Sequence, residues 1–368
     1  MKILHISDAK GWGGNEQQMI YLMPSLNKLN IDNIVFGIKE SVLQDECRIN
    51  NIAFIAAKTK KINKLKNYWY LANVIKNHKP DIVHLHTSNS LMFFLLFNFI
   101  FRFKIKTIFS KKGMGNSSTF LSKFKYNSNQ LDSIICVSKM VQDFLAMNLY
   151  AKNRAKTIVI NDCVLSDFEL NSATINIRKL YNIPENKRIV GNIANHTSAK
   201  DLFTLIDVLY ELKYNIKRDD IVFIQIGEYS KMTDKLRQYA IHKKVLKNIV
   251  FMGEVKNASF INTQFDSFIL TSQREGGPTS MLEAMLFGIP IVSTKVGIVP
   301  DVFIDGVNGF VADIKDSKNL AKKIQLLLDN KDLQVQFKQK GNTIIKERYT
   351  AKIIAQKTFE EYQRVLLN

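Results

Sequence analysis

The chain has 368 residues, 46% hydrophobic and 23% charged, with a formal net charge of +19. That length is too great for one ordinary core, and the balance suits a globular protein of two ordinary domains. Its three cysteines, Cys47, Cys136 and Cys163, have no paired or C-x-x-C spacing, which argues against a disulfide scaffold or a zinc site and fits a reducing cytoplasm.

The charge is uneven. Residues 1–165 hold 23 Lys+Arg and 10 Asp+Glu, a net of +13, while residues 166–368 hold 29 and 23, a net of +6. A polyanionic partner is therefore expected to meet the first half. Lys, Asn and Ile are all abundant, as AT-rich coding produces, so part of the charge has no functional meaning.

At the N-terminus, "MKILHISDAKGWGG" has too short an apolar run for a signal peptide and reads as a first buried strand. Further strand candidates follow in order: "NIVFGI", "IAFIAA", "DIVHLH", "KTIFS", "SIICVS" and "TIVIN", then "RIVGNIA", "IVFIQIG", "NIVFMG", "SFILTS" and "PIVST". Such Ile- and Val-rich runs without alternation suit strands buried on both faces of a parallel sheet. Helical spacing fills the gaps. In "SAKDLFTLIDVLYEL", Leu202, Leu205, Ile206 and Leu209 share a face, and Ser198 is the expected cap, with Asp201 three residues on. Repeated strand–helix alternation predicts two doubly wound α/β domains, residues 1–165 and 166–345. The linker is expected from Asn161 to about Asn176. A final helix over 346–368 is expected to pack back on the first domain.

Ligands bind such sheets at the carboxyl ends of the strands. The unusual loops fall there: "SDAKGWGGNE", "HTSNS", "NHTSAKD" and "SQREGGPTS". In two facing Rossmann-like domains these loops would line one interdomain cleft.

The stretch "REGGPTSMLE" is the most informative. Pro278 suits the first turn of a helix that stops at Gly288. The free N–H groups and positive dipole end of that helix can accept a phosphate, Gly276 and Gly277 permit close approach, and Thr279 and Ser280 add hydroxyl donors. Glu283 can accept two hydrogen bonds from a ribose diol, and Glu275 can reach a polyol beyond the phosphates. Carboxylate, diphosphate site, carboxylate is the layout of a nucleotide sugar. The competing reading makes Glu275 a solvated loop residue and Glu283 a surface charge. Lys200, opening the helix after "RIVGNIA", is unfavourable against a positive dipole end unless an anion joins it. Gly13 and Gly14 permit close backbone approach after the first strand.

Two basic, apolar stretches stand out in the first half. "LMFFLLFNFIFRFK" holds six phenylalanines but, as a helix of about 20 Å, is short of the ~30 Å that a bilayer requires. "KTKKINKLKNYWY" interleaves lysines with Ile, Leu, Tyr and Trp. Together they predict either contact with an anionic membrane surface or a buried helix beside a solvated lysine loop.

"EGGPTSMLEAMLFGIPIVST" followed by "GIVPDVFIDGVNGFV" resembles the donor-site region of the retaining GT-B glycosyltransferases of the large family four, which carry two glutamates separated by seven residues. "GWGGNEQQMIYLMPSL" is similar to that family's N-terminal Gly-Gly loop and helix, and "KPDIVHLHTSNS" and "IICVSKMVQDFL" resemble its first-domain strands. "VGNIANHTSAKDLFTLIDVL" resembles its phosphate-binding segment. The resemblance implies that Glu275 contacts the donor sugar and Glu283 the ribose. It assigns the diphosphate to Lys200 and to the backbone through Gly276, Gly277, Pro278, Thr279, Ser280, Met281 and Leu282, with Gly13 and Gly14 closing from the other domain. It also implies retention of configuration, no cofactor beyond the UDP- or GDP-sugar substrate, and no divalent metal. The chain has no D-x-D and only six histidines, read as scattered.

Two departures matter. Asn192 stands where the family usually has Arg, so Lys200 would carry more of the phosphate charge, with Asn195 or His196 assisting. Lys111 and Lys112 stand where the family often has a histidine; either lysine, or His86 at the end of "DIVHLH", is the expected replacement on the acceptor or sugar side. The implied reaction is sugar transfer to a glycan or lipid-linked acceptor in bacterial surface polysaccharide synthesis, in the cytoplasm or on the cytoplasmic face of the inner membrane. A nucleotide-sugar epimerase or hydrolase of the same fold, and a non-enzymatic basic binding protein, stay open as alternatives. Nucleic acid is not expected, because the basic residues form no groove-reading motif. "GWGG" lacks the G-x-G-x-x-G spacing of an NAD site.

Overall fold

A computed structural model of the protein describes residues 1–115, 120–165 and 175–367. The chain divides into two compact units. One comprises Met1–Cys163 with the segment from Thr350 onward; the other is Val164–Tyr349. Most of the expected linker, residues 166–174, lies outside the described residues.

The first unit is built on seven parallel strands: β1 (Lys2–Ile6), β2 (Asp32–Gly37), β3 (Ala53–Ala56), β4 (Ile82–Leu85), β5 (Lys106–Lys111), β6 (Ser133–Cys136) and β7 (Thr157–Val159). Their order is β3-β2-β1-β4-β5-β6-β7, which reverses direction at β1 and β4. A doubly wound sheet opens a crevice at that reversal. The central strands are buried along their length, as unbroken apolar runs require. The helix Ser88–Phe101 starts at a Thr87–Ser90 capping box and buries Phe93, Phe94 and Phe97 in the core. The helix Leu65–His78 buries Tyr68 and Leu71 in the same core.

The C-terminal helix, Ala351–Leu367, packs on the first helix, Gly14–Asn27. Its Tyr362 is fully buried, with the hydroxyl 2.7 Å from His84 Nδ1. The buried carboxylate of Glu361 accepts from Ser133 Oγ and is clasped by Arg364 at 2.7 Å.

The second unit has six parallel strands: β8 (Arg188–Ile193), β9 (Ile221–Ile226), β10 (Ile249–Gly253), β11 (Ser267–Leu270), β12 (Ile291–Thr294) and β13 (Phe310–Ala312). The order β10-β9-β8-β11-β12-β13 reverses at β8 and β11. Sequence reading misses β13, because three edge residues are too short a run to show a period. At the centre of β8, Gly191 lies against Phe265, where an added Cβ would sit 1.9 Å from the ring. The expected cap of the following helix is corrected. Leu202–Tyr210 is capped by Asp201, whose Oδ1 accepts from Thr204 N, and Ser198 lies outside the helix. Asp201 takes a left-handed φ of +47°, which an Asp side chain tolerates by bonding its own turn.

Among the described residues, no helix is long and apolar enough to cross a membrane.

Candidate functional site

In the second unit the loops after β8 and β11 are stitched together at the sheet's reversal. Gln273 N donates to Ala199 O at 2.8 Å, and Thr271 Oγ1 donates to Asp201 O at 3.1 Å. This stitching brings Lys200 Nζ to 2.5 Å from Glu275 Oε1, and Ser272 Oγ donates to the same oxygen at 2.7 Å. The carboxylate is nearly buried and the lysine one quarter exposed, so the pair sits at the lip of the site.

The helix Thr279–Leu286 begins directly after this pair. Pro278 occupies the cap position rather than the first turn, and among the described residues no side chain caps the helix. Among the described residues, the N–H groups of Gly276, Gly277, Thr279 and Ser280 have no hydrogen-bond partner. Four unspent donors at the positive end of a helix beside an ammonium can receive an anion. Met281 and Leu282 instead donate their N–H groups to Pro278 O, and their side chains are buried. Glu283 is buried in the second turn.

Gly297 backs the glycine loop. It has φ +54°, and an added Cβ would lie 2.5 Å from Gly276 O. Gly297→Ala is therefore expected to push the Gly276 loop outward as well as strain its own backbone. Anion affinity at the helix start should fall while the unit stays folded, which nucleotide titration alongside circular dichroism checks.

Three expected helpers in this unit are otherwise engaged. The amide of Asn192 is buried, donating to Ile269 O at 2.8 Å and facing Gln225 at 3.5 Å. Having no charge, it was drawn into the sheet interior, and it presents nothing to a ligand. His196 is 1% exposed, sits 2.7 Å from Gln225 Oε1 and 2.8 Å from Thr233 Oγ1, and has its pKa lowered by burial. Asn195 Oδ1 accepts from Glu228 N at 2.9 Å. All three brace the loop.

In the first unit Gly13 and Gly14 stand at the start of the first helix, Gly13 in extended conformation. The expectation of scattered histidines is corrected. His5 on β1, His84 on β4 and His86 just beyond it stack with ring centroids 4.2 to 5.5 Å apart. Period-two spacing of His84 and His86, opposite His5 in the adjacent strand, was the signal available in the sequence. Burial pushes His5 down to about 4 and holds His84 and His86 well below the usual imidazole range.

Asn33 Oδ1 accepts from His5 Nε2 at 2.9 Å, so His5 Nδ1 accepts from His86 Nε2 at 2.9 Å, and His86 Nδ1 is left as a bare acceptor. Asn15 Oδ1 is a second unpartnered acceptor, and both residues line a cavity of about 30 Å³, room for one water-sized molecule. The donor nitrogens of the three rings lie within 4.8 Å of one another, as a metal site would need. Both nitrogens of His84 are taken, however, by Tyr362 and by Ser110 at 2.8 Å, and Lys112 lines the same cavity. As bonded, the cluster offers one free imidazole nitrogen, short of the three or four ligands zinc requires.

His86 is thus a buried bracing residue. Lys111 is turned inward onto Gly113 O, its pKa lowered first by burial. Lys112 is paired with Asp162 at 2.5 Å. Neither lysine is a free cation: Lys111 is buried and Lys112, one quarter exposed, is held by the buried carboxylate of Asp162.

Residues 174–343 match the model of glycosyl transferases group 1, and residues 12–161 match that of glycosyltransferase family 4. The chain belongs to these family 4 glycosyltransferases. An uncharacterized glycosyltransferase of Methanocaldococcus jannaschii is 25% identical over 93% of this chain and 98% of its own. The capsular polysaccharide biosynthesis glycosyltransferase CapM of Staphylococcus aureus is 20% identical over 93% and 92%. Among solved structures, HepE of Anabaena in complex with UDP superposes with a TM-score of 0.82 at 20% identity, covering 99% of this chain and all of that one. The shared fold is that of the GT-B glycosyltransferases, and the unspent N–H groups and the Lys200–Glu275 pair lie within the group 1 match of this glycosyltransferase.

Proposed function

We propose that this glycosyltransferase moves a sugar from a nucleoside diphosphate sugar to a hydroxyl of a surface-polysaccharide precursor, with retention of configuration and without a divalent metal. The observation that carries the reading is the Lys200–Glu275 pair held beside four unspent N–H groups at the start of the helix Thr279–Leu286. The diphosphate occupies those N–H groups, where Lys200 meets the charge that grows as the anomeric C–O bond breaks. Glu275 takes the sugar hydroxyls and Glu283 the ribose. The acceptor oxygen forms the new bond on the face that the leaving group quits, and its proton passes to the departing phosphate oxygen. Capsule and O-antigen glycosyltransferases among the relatives support a surface polysaccharide as destination.

Thermal unfolding in the presence of UDP and GDP tests the donor half. One of the two is expected to stabilise the protein by about 2.7 kcal/mol at a hundredfold excess over its dissociation constant. Glu283→Ala should remove that gain, and chelation of metals should leave it unchanged. Stabilisation by oligonucleotides alone would refute the reading.

A further inference from the structure

The first unit contains a second cavity, of about 560 Å³, beyond the ends of β1 and β2. Its walls are of two kinds. Lys10, Lys60 and Lys61 are cationic, while Tyr68, Phe93 and Leu96 are aromatic or aliphatic. Lys60 is paired with Glu40 at 3.1 Å. Lys10 and Lys61 have no ion pair among the described residues. Asp8, the one carboxylate in the lining, is satisfied within the wall: Thr87 Oγ1 donates to it at 2.5 Å and Asn89 Nδ2 at 2.9 Å. Lys10, Lys60 and Lys61 set against Asp8 and the Glu40 partner of Lys60 leave the cavity a formal balance of one positive charge, carried by the unpaired Lys10 and Lys61.

The apolar wall does not end at the cavity. Met92 and Leu96 line it, and Leu96, Phe99 and Ile100 continue outward at helical spacing on the helix Ser88–Phe101. Phe99 is 73% exposed and Ile100 60%. A water-soluble surface helix normally carries charge on that stripe, and here it has none. Met92 to Ile100 spans about 12 Å of helix. Trp69, 68% exposed, packs edge-on to Phe101 with centroids 5.1 Å apart and widens the same face.

We propose that this cavity binds the phosphate of a lipid-linked acceptor, with its head group between Lys10 and Lys61 and its apolar chain along Leu96, Phe99 and Ile100. The proposal rests on the glycosyltransferase reading above and names the acceptor class for it. Two free ammoniums select an anion, and an uncharged aromatic and aliphatic track of this length selects a chain attached to it. Neither feature alone calls for both. A free sugar phosphate leaves the track uncovered, and an uncharged lipid leaves the lysines unanswered. The lysine run and the Phe-rich helix, separate in sequence, both line this one cavity.

Farnesyl phosphate is the probe. In a Trp12→Phe background Trp69 is the sole tryptophan, since the chain has two. Its emission is expected to shift to the blue and saturate with farnesyl phosphate. Farnesol and inorganic phosphate should each bind far more weakly. Lys10→Ala with Lys61→Ala should weaken farnesyl phosphate on the order of thirtyfold, from about 1 kcal/mol for each charge. Phe99→Ser with Ile100→Ser should weaken it while leaving any inorganic phosphate binding intact. Equal affinity for farnesol, equal affinity for inorganic phosphate, or wild-type affinity in the double lysine variant would each overturn the proposal. Nucleotide stabilisation of the same variants separates the two readings. Its loss in the wild-type chain sinks the donor assignment alone, and its persistence in the lysine variants shows that they fold.

Discussion

Lys200→Ala is expected to lower the rate of sugar transfer by about 10²- to 10³-fold, the loss typical of removing one preorganised charge donor from a leaving group. The expectation follows from what stands nearby. Asn192, at the position the family usually fills with arginine, is buried and spends its amide on Ile269, and His196 and Asn195 are bonded within the loop. Among the described residues, Lys200 is thus the ammonium held beside the start of the helix Thr279–Leu286 by its contact with Glu275. The loss should fall on kcat more than on KM, because the charge that Lys200 meets grows as the bond breaks.

Glu275→Gln is the companion test. The amide keeps the shape and the Ser272 bond but releases Lys200 from its 2.5 Å pairing. Because the two residues share that contact, the double variant is expected to lose less than the product of the single losses. Steady-state kinetics on the two single variants and the double variant decides the matter. Unchanged kcat in Lys200→Ala would remove the lysine from the mechanism.

The sheets and the helix after the glycine pair, with its uncapped start, were legible because each rests on local rules: unbroken apolar runs, a glycine pair, and a proline at a helix start. Side-chain fates were less so. Lys111, Lys112 and Asn192 have the right chemistry for a phosphate or sugar site, but burial and a nearby carbonyl or carboxylate decide where each points, and no local pattern encodes those neighbours. The histidine cluster is the clearest case. His5 and His84 are 79 positions apart and meet only because β4 lies beside β1. Asp201 displaced Ser198 as cap because the chain takes an extra turn before the helix, at a left-handed residue that periodicity cannot see.

That cluster sets the second large effect, loss of stability on mild acidification. A histidine held neutral in the folded chain but free to protonate when unfolded costs stability as pH falls through its unfolded value, near 6.5, until its folded value is reached. For His5 the window runs from about 6.5 down to about 4 and corresponds to roughly 3 kcal/mol. His84 and His86 act in the same direction. The groups facing them confirm the sign. Asn33, Ser110, Asn15 and the Tyr362 hydroxyl are neutral, and the charged neighbour Lys112 repels a second positive charge although Asp162 pairs with it. Protonating His86 Nδ1 would put a cation in the cavity that Lys112 lines, and protonating His84 would bury a charge near His5 and Lys112. Urea midpoints measured from pH 7 to pH 5 should therefore fall at constant slope, and His5→Gln should flatten the dependence by removing one titrating ring. A midpoint unchanged across that range would mean the three rings are not shielded from solvent and do not lock the C-terminal helix to the sheet.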